Sequence, residues 1–293
     1  MANIFDNIIE LPSKEIQKQT KNLIGFQNRY KRIYNNLKLL LDQESLSKWS
    51  KKYHKVELPI VSQLKDKYPL IILAGDAGTG KTISATCIAD EMTRDLKREG
   101  YFLKLSTRVR GEGMHGEMGK LVNDAFAELK KQAGKRKLSF LLIDEADAIA
   151  TTRATGQMHQ EEKAAVNTLI QKIDEIREMN GRSILFMSTN RLHFIDEAIL
   201  RRAAIILEFK RPTENECEEL YAQSLNGIEI TSEQLKQLAK MSMKKDKSIG
   251  YSFSDIRLKV LPEAVAMAYP NMPLSFEILK EAICNIEPSP EIK

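Results

Sequence analysis

Cysteine is scarce in this chain: Cys87, Cys217 and Cys284 are the three among 293 residues, and none has a partner at pair spacing or a His in a metal pattern. An odd count without paired spacing excludes a disulfide framework and a thiolate metal site, and reads as buried thiols in a reducing compartment. Long apolar runs are missing as well. None approaches the ~20 residues of a membrane span. Met1–Leu11 carries Asp6 and Glu10 where a secretion signal needs a basic start and an apolar centre. A cytoplasmic protein with no membrane partner is expected. Internal repeats and low-complexity tracts are also lacking. Aromatic residues make up only 6 %, with Trp49 the single tryptophan, yet hydrophobic residues reach 42 %. That is ordinary for a globular protein, and the length suits one large domain plus a small one.

What is present begins with uneven charge. The net charge is +5, but Ser13–Lys67 alone holds thirteen Lys and Arg against five Asp and Glu, leaving the remainder acidic. A basic segment can meet nucleic acid or an acidic partner. The plainer reading is a solvated pair of lysine-rich helices, because Phe26, Tyr30, Tyr34, Trp49 and Tyr53 recur mostly at a helical spacing that favours packing. Residues 1–22 read as a loosely structured lead-in, and Leu23–Phe26 opens a helical stretch running toward Trp49.

From Tyr68 the pattern alternates strand and helix. Tyr101–Leu105, Leu138–Ile143, Ser183–Ser188 and Ile205–Phe209 read as strands. Met118, Leu121, Val122, Ala125, Phe126 and Leu129 mark one amphipathic helix; Val166, Leu169, Ile170, Ile173 and Ile176 mark another, closed by Asn180-Gly181. Such alternation predicts an α/β fold with a three-layer parallel sheet. After Arg211-Pro212 only helices follow, with capping boxes at Thr213/Glu216 and Thr231/Gln234. The expected organisation is therefore 1–67 lead-in and linker helices, 68–211 α/β domain, and 212–293 small all-α lid, with Pro212 as the hinge.

The chemistry lies in the α/β part. Pro69–Ala74 is an apolar strand, and Ala85, Ile88, Ala89, Met92 and Leu96 recur at helical spacing. Between them stands Gly75-Asp76-Ala77-Gly78-Thr79-Gly80-Lys81-Thr82. Strand, glycine loop, helix is the context of a phosphate-binding loop. The glycines let the backbone curl so that N–H groups converge on phosphate oxygens, and the helix start adds partial positive charge. Lys81 reaches the β- and γ-phosphates, and the Thr82 hydroxyl is a ligand for Mg²⁺. ATP and Mg²⁺ are the cofactors expected. The strand Leu138–Ile143 ends in Asp144-Glu145, at the strand end where an open α/β sheet exposes its ligands. Asp144 is expected to hold the Mg²⁺ through its water shell, and Glu145 to polarise the water that attacks the γ-phosphate. The bland alternative is an acidic turn.

Two further features bear on hydrolysis. Asn190 follows the strand Ile184–Ser188, where it would orient the attacking water or merely shape a turn. Arg201 and Arg202 close a short helix. An arginine on a subunit rim completes a neighbour's site, worth roughly 10³–10⁵ in rate; the alternative is a solvated basic turn. Action in trans implies a ring, with a hexamer expected. A GTPase base reader (Asn-Lys-x-Asp) and a transporter Ser-Gly-Gly signature are both missing.

Phosphate loop, Asp-Glu, Asn190, Arg pair and helical lid, in that order, resemble the AAA+ ATPases over about Leu23 to Ile286. The resemblance implies that Leu23-Ile24-Gly25 lines the adenine pocket. It also makes Gly250–Ile256 the start of the lid helix in the classical AAA subgroup. Ser254 stands where other AAA+ groups carry an arginine to the γ-phosphate, and Arg257, one turn on, is the candidate substitute. Met114–Val122, with Glu117 and Gly119-Lys120-Leu121-Val122, and Ala165–Ile176, with Val166-Asn167 and Ile173-Asp174, resemble the pachytene-checkpoint family of AAA+ remodellers. Those proteins act on HORMA-domain clients. The resemblance implies that Met114 and His115, which replace a bulky aromatic pair of the eukaryotic members, face a central pore. It places a second pore loop at Thr151–His159. The compact chain is similar to the bacterial form that accompanies HORMA proteins in antiphage signalling (CBASS). The client would then be a HORMA protein, with a nucleotidyltransferase complex reached through it. A DNA-associated loader or helicase accessory, and a general unfoldase, are the rival expectations.

Overall fold

A computed structural model of the chain describes residues 4–106, 117–152, 160–179, 181–243 and 249–292. From the N-terminus it forms β1 (Phe5–Leu11), α1 (Lys14–Lys21), α2 (Phe26–Leu41), α3 (Gln43–His54), α4 (Pro59–Lys65), β2 (Leu70–Gly75), α5 (Lys81–Asp95) and β3 (Gly100–Leu105). Then come α6 (Glu117–Ala133), β4 (Leu138–Ile143), α7 (Gln160–Arg177), β5 (Ser183–Thr189), α8 (Glu197–Leu200) and β6 (Ala203–Phe209). The C-terminal helices are α9 (Glu214–Ser224), α10 (Ser232–Met241), α11 (Phe253–Asp255), α12 (Leu261–Ala268) and α13 (Phe276–Asn285).

The strands make one sheet in the order β1-β3-β4-β5-β2-β6. β3, β4, β5 and β2 pair in parallel, as a sheet built from strand–helix–strand crossovers must. Every residue of β4 and β5 is buried, as is β2 up to Ala74. Both faces are covered, which explains why these strands are mostly apolar throughout rather than alternating. Leu70, Ile72, Leu141, Ile143, Leu185 and Met187 share a core with Val122, Phe126 and Leu129 of α6 and Val166, Leu169 and Ile173 of α7. The residues between them turn to the other face, where the Phe140 and Phe186 rings lie 6.3 Å apart.

Three expectations need correction. The lead-in is not loose: Phe5–Leu11 is an edge strand, antiparallel to β3, with Ile8 opposite Leu103 and Leu11 opposite Gly100. The sheet is therefore mostly rather than wholly parallel. The helical stretch toward Trp49 is a pair of helices, α2 and α3, separated at Asp42, whose side chain caps α3 by accepting from the Ser45 amide at 3.2 Å. Of the aromatics expected to pack, Phe26, Tyr30 and Tyr34 do form a stack, and the Tyr30 hydroxyl donates to Asp95. Trp49 and Tyr53, however, are 46 % and 65 % exposed, because α3 buries only Ser50. Finally, Cys87 and Cys217 are buried but Cys284 is exposed; burial pushes the Cys217 thiol up to about 12.

By internal packing the chain divides into two units, one of Met1–Lys21, Phe26–Ala74 and Thr82–Glu208, the other of Asn22–Gly25, Gly75–Lys81 and Phe209–Lys293. The second has its own core of Ile24, Leu220, Tyr221, Leu238, Ile256 and Leu279. Three helices here begin with reciprocal caps: Thr213 with Glu216, Thr231 with Gln234, and Ser252 with Asp255. Between α11 and α12 the backbone widens into a π turn, Ile256–Val260. Pro262 follows at once; it lacks an N–H and its ring crowds the preceding turn, so an ordinary α turn is disfavoured there.

Candidate functional site

The phosphate loop follows β2, and its curl comes from glycine. Gly75, Gly78 and Gly80 have φ of 144°, 72° and 89°. At Gly75 a Cβ would stand 2.0 Å from the Phe209 carbonyl oxygen, and at Gly78 one would stand 2.7 Å from Ser252 Oγ. A side chain at Gly75 would run into backbone, and one at Gly78 would be strained and would have to displace Ser252 or Ser254. Thr79 is buried and donates through Oγ1 to the Asp76 carbonyl at 2.8 Å. Lys81 is 7 % exposed, and its Nζ donates to the carbonyls of Gly75 (2.9 Å) and Asp76 (2.7 Å). Ala77 N donates to Asp76 Oδ1 at 2.8 Å. The loop also meets the start of the lid helix, where Ser254 N donates to the Gly78 carbonyl at 3.1 Å.

The strand tips gather the other candidates. Sheet order places β5 between β2 and β4, with Ala74 beside Thr189 and Ile143 beside Met187. Asp144 and Asn190 thus leave adjacent strands at the same edge. Thr82 Oγ1 donates to Asp144, 3.0 Å from Oδ2 and 3.2 Å from Oδ1. Glu145 is exposed and takes the left-handed conformation at φ 49°, its amide donating to Asp144 Oδ1 at 3.2 Å. A non-glycine residue held there costs of order 1–3 kcal/mol, a strain that clusters at functional sites.

The arginine pair divides. Arg202 is bound inside its own unit: Nε and Nη2 grip Asp174 at 2.7 and 3.1 Å, Nη1 donates to the Ala198 carbonyl, and the guanidinium lies over the Tyr68 ring. The bond to Asp174 raises its pKa. Arg201 is 80 % exposed, with Glu197 one turn back at 3.4 Å.

In the C-terminal unit Ile24 is buried in the core and Gly25 has φ 68°. Arg257, the candidate for the γ-phosphate, instead donates through Nη2 to the Asn22 carbonyl at 3.1 Å, and burial lowers its pKa. It thereby ties the segment before Gly25 to the lid helix. Met114, His115 and residues 153–159 lie outside the described residues.

Some neighbours of the site were not anticipated. Lys104 Nζ stands 3.4 Å from Asp144 Oδ2; β3 next to β4 puts it there, a pairing no local pattern announces. Asp147 Oδ1 accepts from Thr189 Oγ1 at 2.8 Å and ties the turn after β4 to the end of β5. Asp255 was legible, since Ser252-x-x-Asp255 repeats the capping pattern read elsewhere. Burial by itself would raise the Asp255 carboxyl. Lys259, Ser289 and Ser252 donate to it and outweigh burial, holding it well below the usual carboxylate range.

The donor set fits a nucleoside triphosphate with a hard cation. A glycine-curled loop with a buried lysine is an anion cradle. A hydroxyl against a carboxylate offers a few oxygen ligands, which suits Mg²⁺ because it keeps most of its waters and takes the rest from phosphate. Among the described residues no cluster of three or more His, Cys, Asp or Glu could hold a metal by itself. No helix among them is long and apolar enough to cross a membrane.

Comparison with known proteins agrees with this geometry. Residues 71–211 match the family described as ATPase family associated with various cellular activities (AAA). The chain is 44 % identical to CD-NTase-associated protein 6 of Escherichia coli strain KTE188 over 290 residues, 99 % of this chain and 97 % of that protein. Among solved structures it resembles a chain of the E. coli MS115-1 HORMA:CdnC:Trip13 complex, with a TM-score of 0.91, 34 % identity, and coverage of 99 % and 97 % of the two chains. It also resembles Rhizobiales Trip13, with a TM-score of 0.75, 28 % identity, and coverage of 98 % and 99 %. The anion cradle, the hydroxyl–carboxylate pair and similarity along nearly the whole length lead to one assignment: this chain belongs to the AAA ATPases, nucleotide-binding enzymes, in the Trip13-like group of CD-NTase-associated protein 6.

Proposed function

We propose that this ATPase works as a hexameric ring that engages a HORMA-domain protein through its central pore and converts the closed, partner-bound client to an open one. A nucleotidyltransferase complex held together by that client would come apart, keeping CBASS-type antiphage signalling quiet in the cytoplasm. The observation that carries the reading is the near-complete likeness to a chain of a HORMA:CdnC:Trip13 complex.

Lys81 and the loop amides bind the β- and γ-phosphates, with Ile24 and Gly25 on the adenine side. Thr82 and Asp144 hold Mg²⁺, which when bound neutralises charge on the phosphate oxygens. Glu145 accepts the proton of the attacking water, and Asn190 orients that water. Arg201 is the trans finger: it is exposed, and an i,i+4 pair with Glu197 is weak enough to exchange for a phosphate. Arg202, gripped by Asp174, sets the end of α8. Arg257 acts on the adenine side through Asn22. Met114 and His115 grip the client, the thioether adapting to varied side chains.

The test is ATPase activity with and without a HORMA protein, together with release of that protein's bound peptide. Stimulated hydrolysis and ATP-dependent release are expected, and Met114→Ala should keep hydrolysis but lose release. Unstimulated hydrolysis with the peptide still bound would defeat the reading. One observation favours a DNA-associated function: Trp49 and Tyr53 are exposed on a basic helix, with Lys52 Nζ 5.1 Å from the Tyr53 ring. Salt-sensitive DNA binding that raises ATPase activity would support that alternative.

A further inference from the structure

The phosphate loop contains an acid. Asp76 lies in a turn whose amides serve an anion, and its side chain is only 10 % exposed. A carboxylate there opposes the triphosphate, because like charges repel and the repulsion strengthens as water is excluded. Arg211, 135 residues later, meets it. Arg211 Nε donates to Asp76 Oδ2 at 2.6 Å, and the arginine side chain is 15 % exposed.

The other arms of the guanidinium are also committed. Nη1 donates to the Gly250 carbonyl just before the lid helix, and Nη2 to the Ser289 carbonyl at 2.7 Å. Ser289 is itself anchored, its Oγ donating to Asp255 Oδ1 at 2.6 Å and its amide to Oδ2 at 3.2 Å. Three nitrogens thus join the phosphate loop, the lid-helix start and the C-terminal tail. All these residues belong to one packed unit.

We infer that Arg211 is a positioning residue for nucleotide binding: it neutralises Asp76 and, with the C-terminal tail around Ser289, clamps the phosphate loop in its anion-accepting curl. The inference rests on the nucleotide-site reading above. A planar fork with fixed donors suits this three-way tie, which a lysine could not reproduce. Losing one partner of a nearly buried pair leaves an uncompensated charge, and that is the costly case.

The experiment measures the Kd of a fluorescent ATP analogue and the KM and kcat for ATP in full-length Arg211→Ala, Asp76→Asn/Arg211→Ala and Lys81→Ala. Thermal unfolding without nucleotide is recorded alongside. Arg211→Ala should raise Kd and KM about tenfold or more while kcat at saturation stays within about threefold. Asp76→Asn in that background should recover most of the lost affinity, since the opposing charge is gone. If Arg211→Ala does not fold, Arg211→Gln with and without Asp76→Asn replaces it. Parental affinity in the arginine variant, or a loss that Asp76→Asn leaves unrepaired, overturns the inference. Parental affinity in Lys81→Ala instead brings down the nucleotide-site reading and this inference with it.

Discussion

The phosphate loop and the tip of β4 each carry an exceptional carboxylate, and they treat it in opposite ways. Asp76 is half-buried with its side chain only 10 % exposed, paired with Arg211, and accepts from the Ala77 amide. Glu145 is exposed, on a backbone held at φ 49°. The loop is a binding element, so its acid is neutralised and its shape over-determined by the C-terminal unit. The strand tip is where the base chemistry is proposed, so its acid stays reachable by water and the strain sits in the backbone that presents it. Holding a ligand and transferring a proton need different surroundings, even when two acids of one site supply them.

Substitutions can break that contrast. Lys81→Ala has the largest expected effect: it empties the buried centre of the loop, and nucleotide affinity should fall about a hundredfold or more, measured by titration with a fluorescent ATP analogue. Arg201→Ala should leave affinity near the parental value while lowering kcat about 10³-fold. Arg202→Ala should cost turnover at least about tenfold less, because its guanidinium is already held by Asp174. Equal losses in steady-state assays would erase the distinction between the two arginines. Glu145→Gln should bind ATP normally and lose about 10²-fold in kcat, the lower end for a general base. Hydrolysis at the parental rate would remove that role from the strand tip.

The smallest effect concerns pH. Asp255 has a folded pKa below its unfolded value of about 3.9, so the stability it contributes is complete above that range. It is lost as pH falls from about 4 toward the lower folded value. Asp255→Asn should flatten the acid limb of a thermal-unfolding profile and leave the profile above about pH 5 parallel to the parent's. An unchanged acid limb would mean that the tail anchor at Ser289 does not depend on charge.

Much of the site was legible because its signals are local. The loop motif, its strand and its helix lie within about thirty residues, and each step follows from backbone demands: glycine where φ is positive, apolar residues where both sheet faces are covered. β1 was not legible. In Phe5–Leu11 the two ends are buried while most of the middle is exposed, so it lacks the apolar signal of the central strands. Its pairing with β3 supplies the order instead. The arginines could not be told apart either, since they are adjacent and chemically identical; Asp174, on another helix, separates them.

The sequence by itself determined the phosphate loop, the acidic strand tip and the succession of α/β and helical parts, since each is written in spacing over a turn or a strand. Only the tertiary structure decided that Asp76 belongs to Arg211, that Arg202 is occupied while Arg201 is exposed, and that Arg257 reaches Asn22. A charged side chain carries no local mark of its partner. The pairing is chosen by whichever opposite charge or carbonyl the packing of distant segments brings within hydrogen-bond reach.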